Sequence, residues 1–257
     1  MVRLKSYVDR LRNGGSGASA ALSAPASDEP LFDQPFYVEV TEARLRHLDW
    51  MRLTLAGKSV ADIGCGIGRL SQFFADQGAD VTCVDGRAEN IEILKRDYPG
   101  RIAHVIDVET DRLLDIGSFD VVFCYGLLYH LADPLGFLRR AEKICGETMI
   151  LETKIVDYQS PQLLLIREFD DPTMGLHHVA CRPSSAYIAA CLRHVGMSHV
   201  YNPARLPDHA DFRYRRRDDG AHMHAGVPMR DIFVASRKPL DNSRLVPVED
   251  RLDYATG

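Results

Sequence analysis

From about residue 58 the chain alternates between two apolar patterns. Short, nearly continuous runs (KSVADIG, ADVTCVD, RIAHVID, SFDVVFCYG and ETMILET) read as buried strands. Between them lie stretches with apolar residues three and four apart, which read as helices. One runs from Gly68 to about Gln77. RAENIEILKRDY is closed by Pro99-Gly100, and DPLGFLRRAEKIC carries Pro134 in its first turn. SSAYIAACLRHVGM adds a helix ended by Gly196, SHVYNP a short strand and RDIFVASRK a last one. A further helical pattern, YVEVTEARLRHLDWM, precedes the first strand. Strands that are apolar on successive positions must be covered on both faces. The pattern therefore predicts an α/β fold: a doubly wound, mostly parallel, seven-stranded sheet with right-handed crossovers. No helix separates the final two strands, which predicts an antiparallel pair at one edge.

The remainder organises around that unit. Residues 2–12 place Val2, Leu4, Tyr7, Val8 and Leu11 at helical spacing, and the Gly-, Ser- and Ala-rich stretch after them reads as a flexible linker. The expected division is residues 1–30 for helix and linker, 31–240 for the domain and 241–257 for a tail. Two segments, 154–183 and 204–229, are long for plain connections and read as a cap over a site.

Charge and cysteine content narrow the function. With 31 basic and 36 acidic residues the net charge is −5, so the chain is not built chiefly to neutralise a nucleic-acid backbone. No apolar run has bilayer length, and the basic N-terminus is not followed by the apolar core of a secretory signal, so a cytoplasmic location is the default expectation. The six cysteines (65, 83, 124, 145, 181 and 191) include no C-x-x-C pair and mostly sit in apolar runs, against a zinc cluster or a disulfide framework.

The chemistry concentrates in SVADIGCGIGRL and the CVDG beyond it. Gly64, Gly66 and Gly68 follow the first strand, at the sheet edge where ligands of open α/β folds bind. Glycine permits a sharp turn and a close ligand approach. Asp85, ending the second strand, is placed to accept hydrogen bonds from ribose hydroxyls. A dinucleotide loop needs G-x-G-x-x-G, but Arg69 occupies the last of those positions. G-x-G-x-G instead suits a nucleoside cofactor without a pyrophosphate. Each feature has a plainer explanation, a common glycine turn for the loop and helix caps for Asp85 and Asp107. Their order along the sheet edge favours the cofactor.

This ordered set resembles the class I S-adenosylmethionine-dependent methyltransferases over about residues 58–153. VADIGCGIG is similar to the first motif of that family, VTCVDG to its ribose motif, IDV at 106–108 to its adenine turn, and FDVVFCYGLLYHLADP to its fourth strand and loop. The resemblance implies a Rossmann-like fold, S-adenosyl-L-methionine as cofactor and S-adenosyl-L-homocysteine as product. Asp62, Gly64, Gly66 and Gly68 would shape the methionine pocket. Asp85 would bind ribose, with Gly86 and Arg87 beside the adenine. Asp107 would meet the adenine amino group, Val108 would pack on the ring, and Tyr125 and Gly126 would line the pocket. GLLYHLADPL and the LET at 151–153 are also similar to tRNA wobble-uridine carboxymethyltransferases over about 119–153. The acidic chain lacks the basic tRNA-facing surfaces of those enzymes outside 213–217.

Within the loop after strand four, His130 is the first candidate for a general base, since its ordinary pKa lies near neutrality. Tyr129 is held as a wall of the acceptor pocket. In the cap, Arg182 is the first candidate to grip an anionic group, among His177, His178, His209, Arg213, Arg215, Arg216, Arg217, His222 and His224. These histidines form no recognised ligand frame, so no metal is assigned. Phe36 and Tyr37 are candidates for a lid, with core packing as the plainer reading. The expected partner is a small molecule methylated on oxygen rather than nitrogen. Other readings are a tRNA-modifying enzyme, a non-catalytic cofactor-binding subunit and an NAD-dependent oxidoreductase. Oligomeric state is left open.

Overall fold

The computed structural model describes residues 32, 34–168, 174–212 and 229–249. The expected N-terminal helix and linker, and Arg213, Arg215, Arg216, Arg217, His222 and His224, lie outside the described residues.

Helix α1 (Pro35–Met51) begins with its proline in the first turn and ends at Arg52, which takes a left-handed conformation at φ 52°. Strands and helices then alternate: β1 (Ser59–Ile63), α2 (Ser71–Asp76), β2 (Asp80–Asp85), α3 (Ala88–Asp97), β3 (Ile102–Val105), β4 (Phe119–Tyr125), α4 (Pro134–Ile144) and β5 (Cys145–Ile155). β6 (Leu163–Arg167) and β7 (Val179–Pro183) form a separate antiparallel hairpin, and α5 (Ser185–His194), β8 (His199–Pro203), β9 (Met229–Ser236) and β10 (Leu245–Pro247) follow. Ser184 caps α5, its side chain accepting from the Tyr187 N–H.

The main sheet runs β10-β8-β9-β5-β4-β1-β2-β3. Strands β1 to β5 are mutually parallel, while β9 is antiparallel to both β5 and β8. Period-two alternation divides the core into two layers. On β4, Val121, Phe123 and Tyr125 join α1, α2 and α3, while Val122 and Cys124 face α4 and α5. That double coverage is why the strands are apolar throughout.

Two expectations are revised. The sheet has eight strands rather than seven, because β10 pairs antiparallel with β8 inside the stretch expected to be tail. A three-residue strand with one buried residue, Leu245, is too short to leave a periodic signal. In the segment 154–183, β5 continues to Ile155, and Leu163–Arg167 pairs antiparallel with Val179–Pro183.

Candidate active site

The strand order reverses between β1 and β4, and a crevice of about 480 Å³ opens at their carboxyl ends. That volume lies within the range of small-molecule sites.

One end is built from backbone. Gly64 and Gly66 take φ 76° and 54°. The Gly64 and Cys65 N–H groups donate to the Val84 carbonyl at 2.7 and 3.0 Å, which pins the loop to β2. A Cβ on Gly64 would sit 2.8 Å from the Leu127 side chain, so glycine is required there by space as well as by φ. Asp85 lines the crevice, and its carboxylate accepts from the Gly66 N–H (2.9 Å), the Arg87 N–H (2.9 Å) and Asn90 Nδ2 (3.0 Å). It therefore does both things considered from sequence: it ties down the turn before α3 and it faces the crevice.

Asp62 and Gly68 do not line the crevice. Gly68 faces α3, where an added Cβ would lie 2.9 Å from Leu94. Asp62 is 2% exposed and accepts from Ser71 Oγ, joining β1 to α2 beneath the loop; burial pushes its carboxyl up to about 7.

Along the adjoining wall run Gly86, Arg87, Asp107 and Val108. A strap from the β6–β7 hairpin, residues 174–177, covers this wall. The Met174 carbonyl accepts from Arg87 Nη2 at 2.9 Å, and Leu176 lies against Gly86, where a Cβ would meet it at 2.6 Å. His177 Nε2 is 2.8 Å from Asp107 Oδ2. These contacts bring His177, singled out only as part of a polar cluster, onto the acid expected at the adenine.

The opposite end is built from side chains. Tyr125, Gly126, Tyr129 and His130 line the crevice here, with Phe36 and Tyr37 from the start of α1. Phe36 is 50% exposed at the rim and edge-on to Tyr37. Glu152, fully buried on β5, pairs with Arg44 of α1 and with Arg230 of β9, the latter at 2.7 Å. Burial is the largest single influence on Glu152 and opposes its charge. The two guanidinium groups together outweigh it and hold the carboxyl below its ordinary range. Arg230 also binds Asp211 at 3.0 Å. Among the described residues, two buried polar atoms here lack a partner, the Tyr125 hydroxyl and Arg44 Nε. Unpaired buried donors at a crevice wall fit a polar ligand group.

His130 Nδ1 lies 2.8 Å from Glu168 Oε2, and the same oxygen accepts from the Gly175 N–H at 2.7 Å. A carboxylate only accepts, so Nδ1 carries the proton and Nε2 is the basic nitrogen. Desolvation lowers the His130 pKa below its ordinary value and favours the neutral imidazole, an effect that Glu168 offsets only in part. Gly175 approaches so closely that a Cβ would lie 2.4 Å from the His130 carbonyl.

Arg182 is placed differently from expectation. It does not line the crevice; Nη1 donates to the Tyr129 and Cys181 carbonyls and its guanidinium lies 5.3 Å from the centre of the Tyr129 ring. The pattern also passed over Arg44, Asn90, Glu152, Lys154, Glu168 and Arg230. Arg44 and Arg230 sit in ordinary helix and strand sequence. Glu152 alone had a visible signal, an acid directly after the apolar run Met149–Leu151.

Comparison with known proteins agrees with this geometry. A family model described as "Methyltransferase domain" matches residues 61–147. The ubiquinone biosynthesis O-methyltransferase of Xanthomonas euvesicatoria pv. vesicatoria is 30% identical over 187 residues, which span 63% of this chain and 76% of that protein. The protein of the same name from Psychrobacter arcticus is 36% identical over 42% of this chain and 45% of its own length. Among solved structures, the N-terminal domain of EvdMO1, crystallised with S-adenosylhomocysteine and D-fucose, superposes with a TM-score of 0.61 at 19% identity, covering 93% of this chain and 98% of that one. Magnesium protoporphyrin IX methyltransferase from Synechocystis gives 0.52 at 18% identity, with 90% of each chain covered. The chain belongs to the class I S-adenosylmethionine-dependent methyltransferases. It is an enzyme of the methyltransferase class, with S-adenosylmethionine as its cofactor. Among the described residues no helix is long and apolar enough to cross a membrane.

Proposed function

We propose that this enzyme methylates a hydroxyl oxygen of a small molecule, with His130 as general base and Glu168 as the residue that positions it. The observation that carries the reading is the His130–Glu168 pair, whose histidine lines the crevice that the glycine loop opens. A hydroxyl must lose a proton as it is alkylated, and a neutral imidazole with a fixed tautomer is suited to take it. Both relatives quoted above carry O-methyltransferase in their names, which supports oxygen over nitrogen.

The residues present fit the cofactor. Gly64 and Gly66 leave the backbone bare, and the Tyr125 hydroxyl and Arg44 Nε await polar partners beside Gly126. In this reading those groups hold the amino-acid tail, Asp85 holds the ribose, and Asp107, Val108, Gly86 and Arg87 frame the adenine under the strap. When bound, S-adenosylmethionine supplies a methyl group on a sulfonium, ready for in-line displacement. The chain's own work is to hold the acceptor hydroxyl in line, exclude water with Phe36, Tyr37 and the strap, and receive the proton at His130 Nε2. Arg182 then serves the acceptor wall indirectly, by fixing the Tyr129 backbone and ring.

Incubation with isotopically labelled S-adenosylmethionine and a panel of small hydroxyl and amine compounds tests the proposal. Labelled methyl ethers are expected as products. Label found only on amines, or only on RNA added in parallel, overturns it.

A further inference from the structure

At the end of the crevice around Tyr129, four cations, Arg44, Arg182, Arg230 and Lys154, stand against three acids, Glu152, Glu168 and Asp211. Arg44 and Arg230 share Glu152, and Arg230 also holds Asp211. Glu168 accepts the hydrogen bond of His130 Nδ1–H. Lys154, on β5 two residues beyond Glu152, lines the same crevice, yet among the described residues its ammonium makes no hydrogen bond or ion pair. It rests 4.7 Å from the centre of the Tyr129 ring, around which the Arg230 and Arg182 guanidinium groups also lie, at 5.2 and 5.3 Å. Three cations about one aromatic ring repel each other, and a single neutral ring face offsets only a small part of that. Holding a half-buried lysine there without an acid is costly unless an anion completes the set.

We infer that Lys154 is the recognition residue for an oxyanion, a carboxylate or a phosphate, carried by the methyl acceptor and seated between its ammonium and the edge of Tyr129. The inference rests on reading this end of the crevice as the acceptor site. Tyr129, Tyr37 and Phe36 supply aromatic walls around the same space, so the anion is carried on a flat, ring-bearing body. Arg230 is already held by Glu152 and Asp211, and for this reason the specificity falls to Lys154.

The test uses full-length protein saturated with S-adenosylhomocysteine and titrated calorimetrically with benzoate, phenyl phosphate and benzamide. One or both anions are expected to bind at least tenfold more tightly than the neutral amide, and the stronger of them names the oxyanion. Lys154→Met, which keeps the stem and removes the charge, is expected to erase that preference, and Lys154→Arg to retain much of it. Affinity for S-adenosylhomocysteine is measured on each variant and is expected to hold, which also certifies the fold. Equal binding of benzamide, absence of binding by either anion, or an undiminished preference in Lys154→Met overturns the inference. So does a loss of S-adenosylhomocysteine affinity in Lys154→Met, since the ammonium would then serve the cofactor's own carboxylate. The titration involves no methyl transfer, so its failure is distinguishable from failure of the proposed reaction.

Discussion

The two ends of the crevice are made in different ways. At the end proposed for the cofactor, Gly64, Gly66, Asp85, Arg87, Asn90 and Asp107 come from within 44 residues of one another, and most contacts run through backbone N–H groups at the ends of adjacent strands. At the end proposed for the acceptor, Tyr129, Glu152, Lys154, Glu168 and Arg230 arrive from the loop after β4, β5, the hairpin and β9. Their contacts are between side chains. A backbone cradle depends on glycines and one acid at fixed spacing, and it tolerates change elsewhere. A side-chain constellation depends on the whole topology and is free to vary in residue type, which suits the part of an enzyme that must match its own substrate.

The largest separation between the two ends is expected from His130→Ala. Single-turnover and steady-state assays should show kcat reduced by about a hundredfold or more, because base catalysis is lost. Calorimetric affinity for S-adenosylhomocysteine should stay near that of the parent. A matching fall in both would mean that the ends are not independent. The converse variant is Asp85→Ala. It removes the acceptor for three protein donors and, in the proposed reading, for the ribose, so S-adenosylhomocysteine binding should weaken by about 1–3 kcal/mol. Under saturating cofactor its turnover should recover most of the parent rate.

Glu168→Gln sharpens the comparison within the acceptor end. Glu168 raises the His130 pKa against the dominant lowering by burial. Without that charge the imidazole pKa falls further, and the acid limb of the kcat profile, where His130 takes up a proton and the rate drops, should move to lower pH. The plateau rate should also fall, by about tenfold, as the tautomer is no longer fixed. A limb that stays in place would assign it to another group. The Gly175 N–H on Glu168 links this pair to the strap over Asp107, so the variant also reports whether the two ends communicate.

This division explains what was legible in the chain. The doubly wound sheet was visible because β1, β2, β4 and β5 are apolar on both faces, and only a covered parallel sheet explains that. The glycine loop and Asp85 were visible because their geometry depends on residues close in sequence. His130 stood out because it follows directly on strand four. Its partner Glu168 did not: it lies 38 residues on, in a segment without periodicity, and only the β6–β7 pairing brings it back. Arg182 misled for the related reason that a cationic residue in a cap segment looks like a ligand grip, whereas burial turned it onto carbonyls. The lysine beside it in space, Lys154, sat in a strand whose end was drawn two residues too early.

The smallest expected effect separates two acids that look alike in sequence. Asp62 and Asp85 sit on neighbouring strands and were both assigned to the cofactor, but only Asp85 lines the crevice. Burial raises the folded-state pKa of Asp62 to about 7, against an ordinary value of 3.8. The folded protein therefore holds a proton there that the unfolded chain releases. The stability this contributes is complete below about pH 4 and is lost as pH rises toward and through 7, at a slope of up to about 1.4 kcal/mol per pH unit. Asp62→Asn, which mimics the protonated form, should flatten this part of the dependence in denaturant titrations. Asp231, raised to about 6 by its own burial on β9, contributes with the same sign and should leave a residual slope. Affinity for S-adenosylhomocysteine should change little, in contrast with Asp85→Ala. A folded Asp62→Asn that no longer binds S-adenosylhomocysteine would instead place this carboxyl in the cofactor site and move the boundary of the backbone-built end down into β1.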